Sequence, residues 1–231
     1  MQLGIEADGF RQQRFVNDVS HELRTPLTII CGYVDLLESY GANDPELFKE
    51  AVQSIKNSAQ NMRSLVESLL FLARADQGRQ PLNKVPVELD TLLIKFLEDY
   101  QSPRVQLSKL TPCRILADAE FLKKMFAAFL DNALRYSLSN TVVKVELTNL
   151  GDKATLKFID KGVGIPKEDC TKIFDRFYRT DKARTKVNGN ENSVGLGLSV
   201  AKWIADRHDI KIKVKSKPGE GSTFTLIIPT I

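Results

Sequence analysis

Phe48-Lys-Glu-Ala-Val-Gln-Ser-Ile-Lys-Asn-Ser-Ala-Gln-Asn-Met-Arg-Ser-Leu-Val-Glu-Ser-Leu-Leu-Phe-Leu-Ala73 decides how the front of this chain folds. Its apolar residues Phe48, Val52, Ile55, Ala59, Met62, Val66, Leu69 and Ala73 alternate steps of four and three without a slip. That is a helix with a coiled-coil-grade heptad seam. Asp44 before Pro45 supplies an N-cap and a first-turn proline, and Gly78 past the last periodic residue can stop the helix. Upstream, Val16, Val19, Leu23, Leu27, Ile30, Val34 and Leu37 form a second helical stripe, separated from the first by Gly41-Ala-Asn-Asp-Pro45. A hairpin of two such helices cannot bury both flanks of its seam. Pairing two hairpins into a four-helix bundle does, so the sequence predicts a homodimer; a hairpin folded onto the rest of its own chain is the alternative.

Composition changes at Gln77-Gly-Arg-Gln-Pro81, which divides the chain into domains 1–78 and 79–231. Residues 1–78 carry 7 Lys/Arg and 11 Asp/Glu, a net −4, whereas residues 79–231 carry 26 and 18, a net +8. The basic half suits an anionic ligand. Its basic residues are spread through helix and strand patterns rather than clustered with aromatics, which argues against a nucleic-acid partner. The back domain reads as a helix over Val87–Tyr100, a strand near Val105–Leu110 and a helix over Ala119–Tyr136. Val142–Leu147 and Ala154–Asp160 alternate like a hairpin around Asn149-Leu-Gly-Asp152. Gly195–His208 is helical, and Ile210–Lys215 and Thr223–Ile228 are strands flanking Pro218-Gly-Glu-Gly221. The economical fold is an all-α hairpin followed by an α/β (α+β) sandwich, a mixed sheet with helices on one face.

The whole chain of 231 residues is 42% apolar and 27% charged, as expected of a globular protein. No apolar run approaches the ~18 residues that a membrane-spanning helix needs, and Met1–Gly9 lacks a signal-peptide pattern. Cys31, Cys113 and Cys170 are odd in number and too far apart for metal-ligand spacing, so three small buried apolar residues in a reducing compartment are expected.

His21 lies two residues from both Val19 and Leu23, hence off the apolar stripe. Pro26, five residues on, has no N–H for the carbonyl of Glu22 and should bend or loosen the helix. A proline inside a strong helix costs up to ~3 kcal/mol, so something other than stability retains it. A neutral imidazole nitrogen is a competent nucleophile near neutral pH, and Glu22 can take the proton of the other nitrogen. The stretch Phe15-Val-Asn-Asp-Val-Ser-His-Glu-Leu-Arg-Thr-Pro-Leu27 resembles the phospho-acceptor box of two-component sensor histidine kinases.

No P-loop string and no eukaryotic-type kinase signature occurs. The back domain instead resembles the ATP-binding domain of histidine kinases, the Bergerat fold, in five ordered segments. Phe129-Leu-Asp-Asn132-Ala-Leu-Arg135-Tyr136-Ser137 resembles the N box. The resemblance implies Asn132 as a Mg²⁺ ligand, Arg135 facing phosphates and Tyr136 packing near the nucleotide. Asp160-Lys-Gly162-Val-Gly164-Ile165-Pro166 resembles the first glycine box, implying that Asp160 accepts a hydrogen bond from the adenine amine while Gly162, Gly164 and Ile165 line the base. Phe174-Asp-Arg176-Phe177-Tyr-Arg179 resembles the aromatic box, which implies Arg179 as a nucleotide contact; Phe174 and Phe177 also read as core aromatics. Polar residues follow from Thr180 to Val194, including Lys182, Arg184, Lys186, Asn188 and Asn190, as expected of a lid. Gly195-Leu196-Gly197-Leu198 opens a helix whose free N–H groups suit phosphate, and Thr223 falls in the last glycine segment. Ala128, Ser193 and Asp209-Ile210 stand where the family commonly has asparagine or glycine. His208 is accordingly read as structural.

The resemblance implies ATP- and Mg²⁺-dependent phosphorylation of His21 and transfer to an aspartate of a response-regulator receiver domain. It also implies a reverse phosphatase activity carried by Glu22-Leu-Arg-Thr25. Catalysis would rest on His21, Glu22 and Thr25. It further implies a sensor region, often membrane-tied, with residues 1–231 expected on the cytoplasmic side. A non-catalytic dimeric scaffold of the same fold is the alternative, motivated by Ala128 and Ser193. An ATP hydrolase of the chaperone or topoisomerase type is disfavoured, because Ala128 cannot activate water.

Overall fold

A computed structural model describes residues 2–40, 44–180 and 194–231, with side chains from residue 16 onward. The expected lid residues Lys182, Arg184, Lys186, Asn188 and Asn190, together with Ser193 and the Gly41-Ala-Asn43 break, lie outside the described residues. The chain forms two compact units, Met1–Leu70 and Phe71–Ile231.

The first unit is a pair of long helices, α1 (Gln2–Tyr40) and most of α2 (Pro45–Asp76). Asp44 caps α2 as expected, its Oδ1 accepting the N–H groups of Glu46 (3.0 Å) and Leu47 (3.1 Å). Tyr33 Oη donates to Glu50 Oε1 across the two helices at 3.0 Å. The covered line of α2 is Ala51, Ser58 and Leu65, a strict heptad one position away from the expected seam. Much of that seam is open in a single chain: Phe48 is 53% exposed, and Val52 and Val66 are each 44% exposed. Two helices can cover only a narrow strip of each other, so a wide apolar stripe keeps an unburied flank.

The second unit begins with the last turns of α2, where Phe71, Leu72 and Ala75 are buried. Phe71 meets Trp203 and Phe121 edge-on, with ring centroids 5.0 and 5.7 Å apart. Asp76 accepts a two-pronged bond from Arg176, at 2.9 and 2.6 Å. Helices α3 (Leu89–Tyr100), α4 (Ala119–Tyr136) and α5 (Gly197–Arg207) accompany strands β2 (Val105–Lys109), β4 (Val143–Asn149), β5 (Lys153–Asp160), β6 (Lys211–Lys217) and β7 (Gly221–Pro229). The sheet order is β2-β4-β5-β7-β6; β2 runs parallel to β4 and every other pair is antiparallel. One sheet face is fully buried through Val145, Leu156, Phe158, Phe224 and Leu226. Phe129 of α4 stacks on Phe158 at 5.5 Å and tilts against Phe224 at 5.4 Å. Each buried aromatic side chain of this kind contributes about 2–3 kcal/mol.

Two strands escaped the sequence reading. β1 (Val85–Glu88) and β3 (Arg114–Ala117) form a separate antiparallel ribbon, so the helix expected from Val87 starts at Leu89. Pro86 cannot start a deep strand, but it fits a two-stranded ribbon with no inner position. His208 is structural: its Nε2 accepts the Asp118 N–H at 3.0 Å and its Nδ1 faces the Ile204 carbonyl at 2.8 Å. Burial lowers its pKa below the usual imidazole range. Of the cysteines only Cys113 is buried; Cys31 is exposed and Cys170 half-buried, which corrects the expectation of three buried thiols.

Candidate functional site: an exposed histidine and a buried carboxylate

On α1 the residues of the acceptor box separate by face. His21 and Thr25 are exposed, Glu22 is half-buried and Pro26 is buried. The helix continues through Pro26, where the Glu22 carbonyl loses its usual donor. The hydroxyls of Ser20 and Thr28 bond back to the carbonyls of Val16 (2.8 Å) and Arg24 (3.0 Å). Thr25 makes no such bond among the described residues, so its hydroxyl is available one turn beyond His21.

In the second unit the end of α4, the end of β5 and the start of β7 come together. Asp160, at the end of β5, is only 5% exposed. Its Oδ1 accepts the N–H groups of Gly162 (2.9 Å) and Ser222 (3.2 Å), and neither of these donors reaches Oδ2. Burial pushes its carboxyl up to about 6; those N–H groups and the Ser222 hydroxyl hold it from rising further. The loop after Asp160 is pinned on both sides. The Val163 N–H donates to the Tyr136 carbonyl (3.1 Å), and the Gly219 N–H donates to the Val163 carbonyl (2.8 Å). Ile165 donates its N–H to Ser216 Oγ at 2.7 Å.

The glycines answer to the protein's own backbone more than to a ligand. A Cβ on Gly162 would lie 2.2 Å from the Tyr136 carbonyl oxygen, and one on Gly164 would lie 2.0 Å from that of Lys217. Gly164 also has φ +68°, a left-handed conformation. Gly195 touches the aromatic box: its carbonyl accepts the Phe177 N–H at 3.0 Å. Phe174 and Phe177 are half-buried rather than core; Ile173 is the residue that goes inside.

Asn132 is half-buried, and its amide makes no hydrogen bond among the described residues. Arg135 has a buried Nη1 with no hydrogen-bond partner. Tyr136 is half-buried beside them, while Arg179 is half-buried and already in contact with neighbours. Leu196 is the N-cap of α5 and is buried; no side chain caps that helix, so the N–H groups from Gly197 and Leu198 onward lack a side-chain acceptor. These features fit a magnesium nucleotide: a neutral oxygen donor at Asn132, an unsatisfied guanidinium at Arg135 and an uncapped helix start. The Gly197 position opens toward Ala128, whose Cβ would be 3.8 Å from an added Cβ.

Strand alternation moves one expected contact. Thr223 pairs with Ile159 and faces the opposite side of the sheet from Asp160. Its neighbour Ser222 is the residue that sits across from Asp160. Neither sequence pattern nor motif pointed to Arg104. Its Nε donates to the Thr141 carbonyl (3.1 Å) and its Nη1 to the Leu134 carbonyl (3.2 Å); its Nη2 reaches Ser137 Oγ and the Leu138 carbonyl at 2.6 Å. One guanidinium thus ties down the end of α4 that carries Asn132, Arg135 and Tyr136. Arg104→Ala is expected to cost about 3 kcal/mol in urea unfolding, because charged bonds to otherwise orphaned carbonyls are lost. It should also weaken nucleotide binding, whereas Arg104→Lys should restore part of both.

The family model described as the His Kinase A (phospho-acceptor) domain matches residues 11–78. That described as the Histidine kinase-, DNA gyrase B-, and HSP90-like ATPase matches residues 117–231. The sensor histidine kinase YkoH of Bacillus subtilis is 38% identical over 94% of this chain, which spans 47% of that relative. The solved structure of the Acinetobacter baumannii histidine kinase AdeS is 25% identical with a TM-score of 0.67, covering 90% of this chain and 97% of its own. The histidine kinase ThkA, solved in complex with the response regulator protein TrrA, is 23% identical with a TM-score of 0.69, covering 99% of this chain and 66% of its own; it shares the fold. The acceptor helix and the nucleotide-type sheet therefore have one explanation between them: the chain belongs to the two-component sensor histidine kinases and comprises their catalytic core.

Proposed function

We propose that this chain phosphorylates His21 from ATP and passes the phosphoryl group to an aspartate of a response-regulator receiver domain. The observation that carries the reading is the presence, in one chain, of an exposed off-stripe histidine and a buried carboxylate built into a pinned glycine loop. Residues 1–78 serve as the dimerisation and histidine phosphotransfer domain and residues 79–231 as the ATP-binding domain. The open apolar flank of α2, with Phe48, Val52 and Val66, closes against a second copy in a four-helix bundle.

Asp160 orients the adenine by accepting its amine. Asn132 would hold Mg²⁺, Arg135 would face the phosphates, and the N–H groups at Gly197 and Leu198 would cradle them. ATP supplies the γ-phosphoryl group, and bound Mg²⁺ would supply the positive charge that offsets what develops on it. The nucleophilic nitrogen of His21 forms the new P–N bond as the bond to the leaving ADP oxygen breaks; Glu22 takes the proton from the other ring nitrogen. ATP labelled at the γ-position tests this directly. Acid-labile, alkali-stable label on the chain is expected; nucleotide binding without labelling would instead leave the scaffold reading.

The reverse activity rests on Thr25. Its unengaged hydroxyl, one turn from His21, can orient water toward the partner's phospho-aspartate. Thr25→Ala should lower dephosphorylation of a cognate regulator by roughly ten- to a hundredfold, the scale of a misplaced reactant, while leaving His21 labelling nearly unchanged. Parallel losses in both rates would rule that role out. Membrane attachment, where it exists, comes from a sensor region outside these residues.

A further inference from the structure

The face of the five-stranded sheet that no described helix covers is basic along β4, β5 and β6. Pairing puts Lys144 of β4, Lys153 and Lys157 of β5, and Lys211, Lys213 and Lys215 of β6 on that one side. Between them stand threonines and two half-buried isoleucines; the one strand carboxylate there, Glu146, is spoken for by Lys157 at 4.0 Å. Lys144, Lys211, Lys213 and Lys215 have no ion-pair partner among the described residues. Along β6 the lysines repeat every ~6.7 Å, and neighbouring strands lie ~4.8 Å apart. Those spacings are inside the ~8 Å screening length at physiological salt, so the potentials add.

Lysine on an edge strand also deters edge-to-edge aggregation. That explains β6 but not Lys144, Lys153 and Lys157, which sit on the inner strands β4 and β5. Lysine is a poor strand residue there. Nor is the pattern a general surface bias, because α3, α4 and α5 expose both signs: Lys95 with Glu98, Glu120 with Lys123, Lys202 with Asp206.

We propose that this sheet face is a docking surface for an anionic phospholipid bilayer. It is broad and pleated, and it has no aromatic on which a nucleic-acid base could stack. It also lacks the apolar centre typical of a protein interface. Compact ammonium groups on flexible stems suit a diffuse layer of acidic headgroups, whereas a single fixed phosphate or carboxylate favours guanidinium forks. The surface lies on the opposite side of the sheet from Asp160, so docking leaves the side that carries Asp160 free. The inference stands apart from the kinase reading.

Vesicle flotation of the whole chain tests it, with phosphatidylcholine alone and with added phosphatidylglycerol. Binding is expected only to the acidic vesicles, and high salt should abolish it. Replacing Lys211, Lys213 and Lys215 together by glutamine should weaken binding at least about tenfold. The charge-matched replacement of Lys49, Lys56 and Lys95 should not. Both variants should keep the parental thermal midpoint and nucleotide affinity, which separates lost docking from lost folding. Equal loss in the two variants would overturn the proposal, as would binding to neutral vesicles. So would displacement by duplex DNA at equal charge concentration, which would mark a non-selective polyanion attraction.

Discussion

His21→Gln is expected to reduce phosphate incorporation from ATP to background while nucleotide affinity and thermal stability stay at parental values. His21 is exposed on α1 and off the covered line of the hairpin, so glutamine removes no packing. What it removes is a nucleophile, because an amide nitrogen has no available lone pair near neutral pH. Glu22→Gln should act on the same step with smaller effect, about 10²-fold or more in labelling rate, the range for a lost proton acceptor. Its half-buried position makes a stability control necessary. Label stability provides the second readout: a phosphoramidate is lost in acid and kept in alkali, opposite to a phosphoserine. Parental labelling of His21→Gln would move the acceptor elsewhere and remove the reason for the exposed box.

How far sequence could go differs between the two units. The heptad seam of α2 was legible because helical period is a property of the chain alone. Which flank a single hairpin covers was not, since that depends on the neighbouring helix. The covered line therefore runs through Ala51, Ser58 and Leu65 rather than through Phe48 and Val52. In the sheet, the hairpins around Gly151 and Gly219 announced themselves through turn residues, and both glycines have positive φ. The β1–β3 ribbon had no turn to announce it, because its strands are joined through a helix and β2. Asp160 could be found by motif. Its setting could not, because the donors come from residue 162 and from residue 222, sixty-two positions away. Ser222 and Thr223 are adjacent in sequence, and only strand register decides which of them faces Asp160. Arg104 lies thirty residues or more from the carbonyls it binds, with no local signal at all.

Asp160→Asn should bind adenine nucleotide more weakly yet fold more stably at neutral pH, and that opposite pair of changes distinguishes a binding carboxylate from a structural one. Asparagine can still accept the N–H groups of Gly162 and Ser222 on its oxygen. In place of Oδ2 it then offers an NH₂, a donor facing the donor amine of adenine. Losing a charged hydrogen bond there should cost about 1.5–3 kcal/mol of binding, or roughly ten- to a hundred-and-fifty-fold in Kd by titration calorimetry. Stability runs the other way. The folded-state pKa of Asp160 is raised from 3.8 to about 6, mainly by burial, so its stability contribution is full below pH 4 and lost as pH rises through about 6. At pH 7 the buried charge therefore costs up to about 3 kcal/mol, which asparagine relieves. His208, with its lowered pKa, has the opposite sign and loses stability as pH falls below 6.5, so parent and variant must be compared at each pH. Binding adds its own window. Adenine requires the ionised acceptor, so the affinity advantage of the parent over Asp160→Asn should hold above pH 7 and shrink about tenfold per unit below about 6. Taking that ratio cancels the titration of the nucleotide's own phosphates. An unchanged affinity would mean that the base is held elsewhere; a variant less stable at pH 7 would make Asp160 a turn residue first.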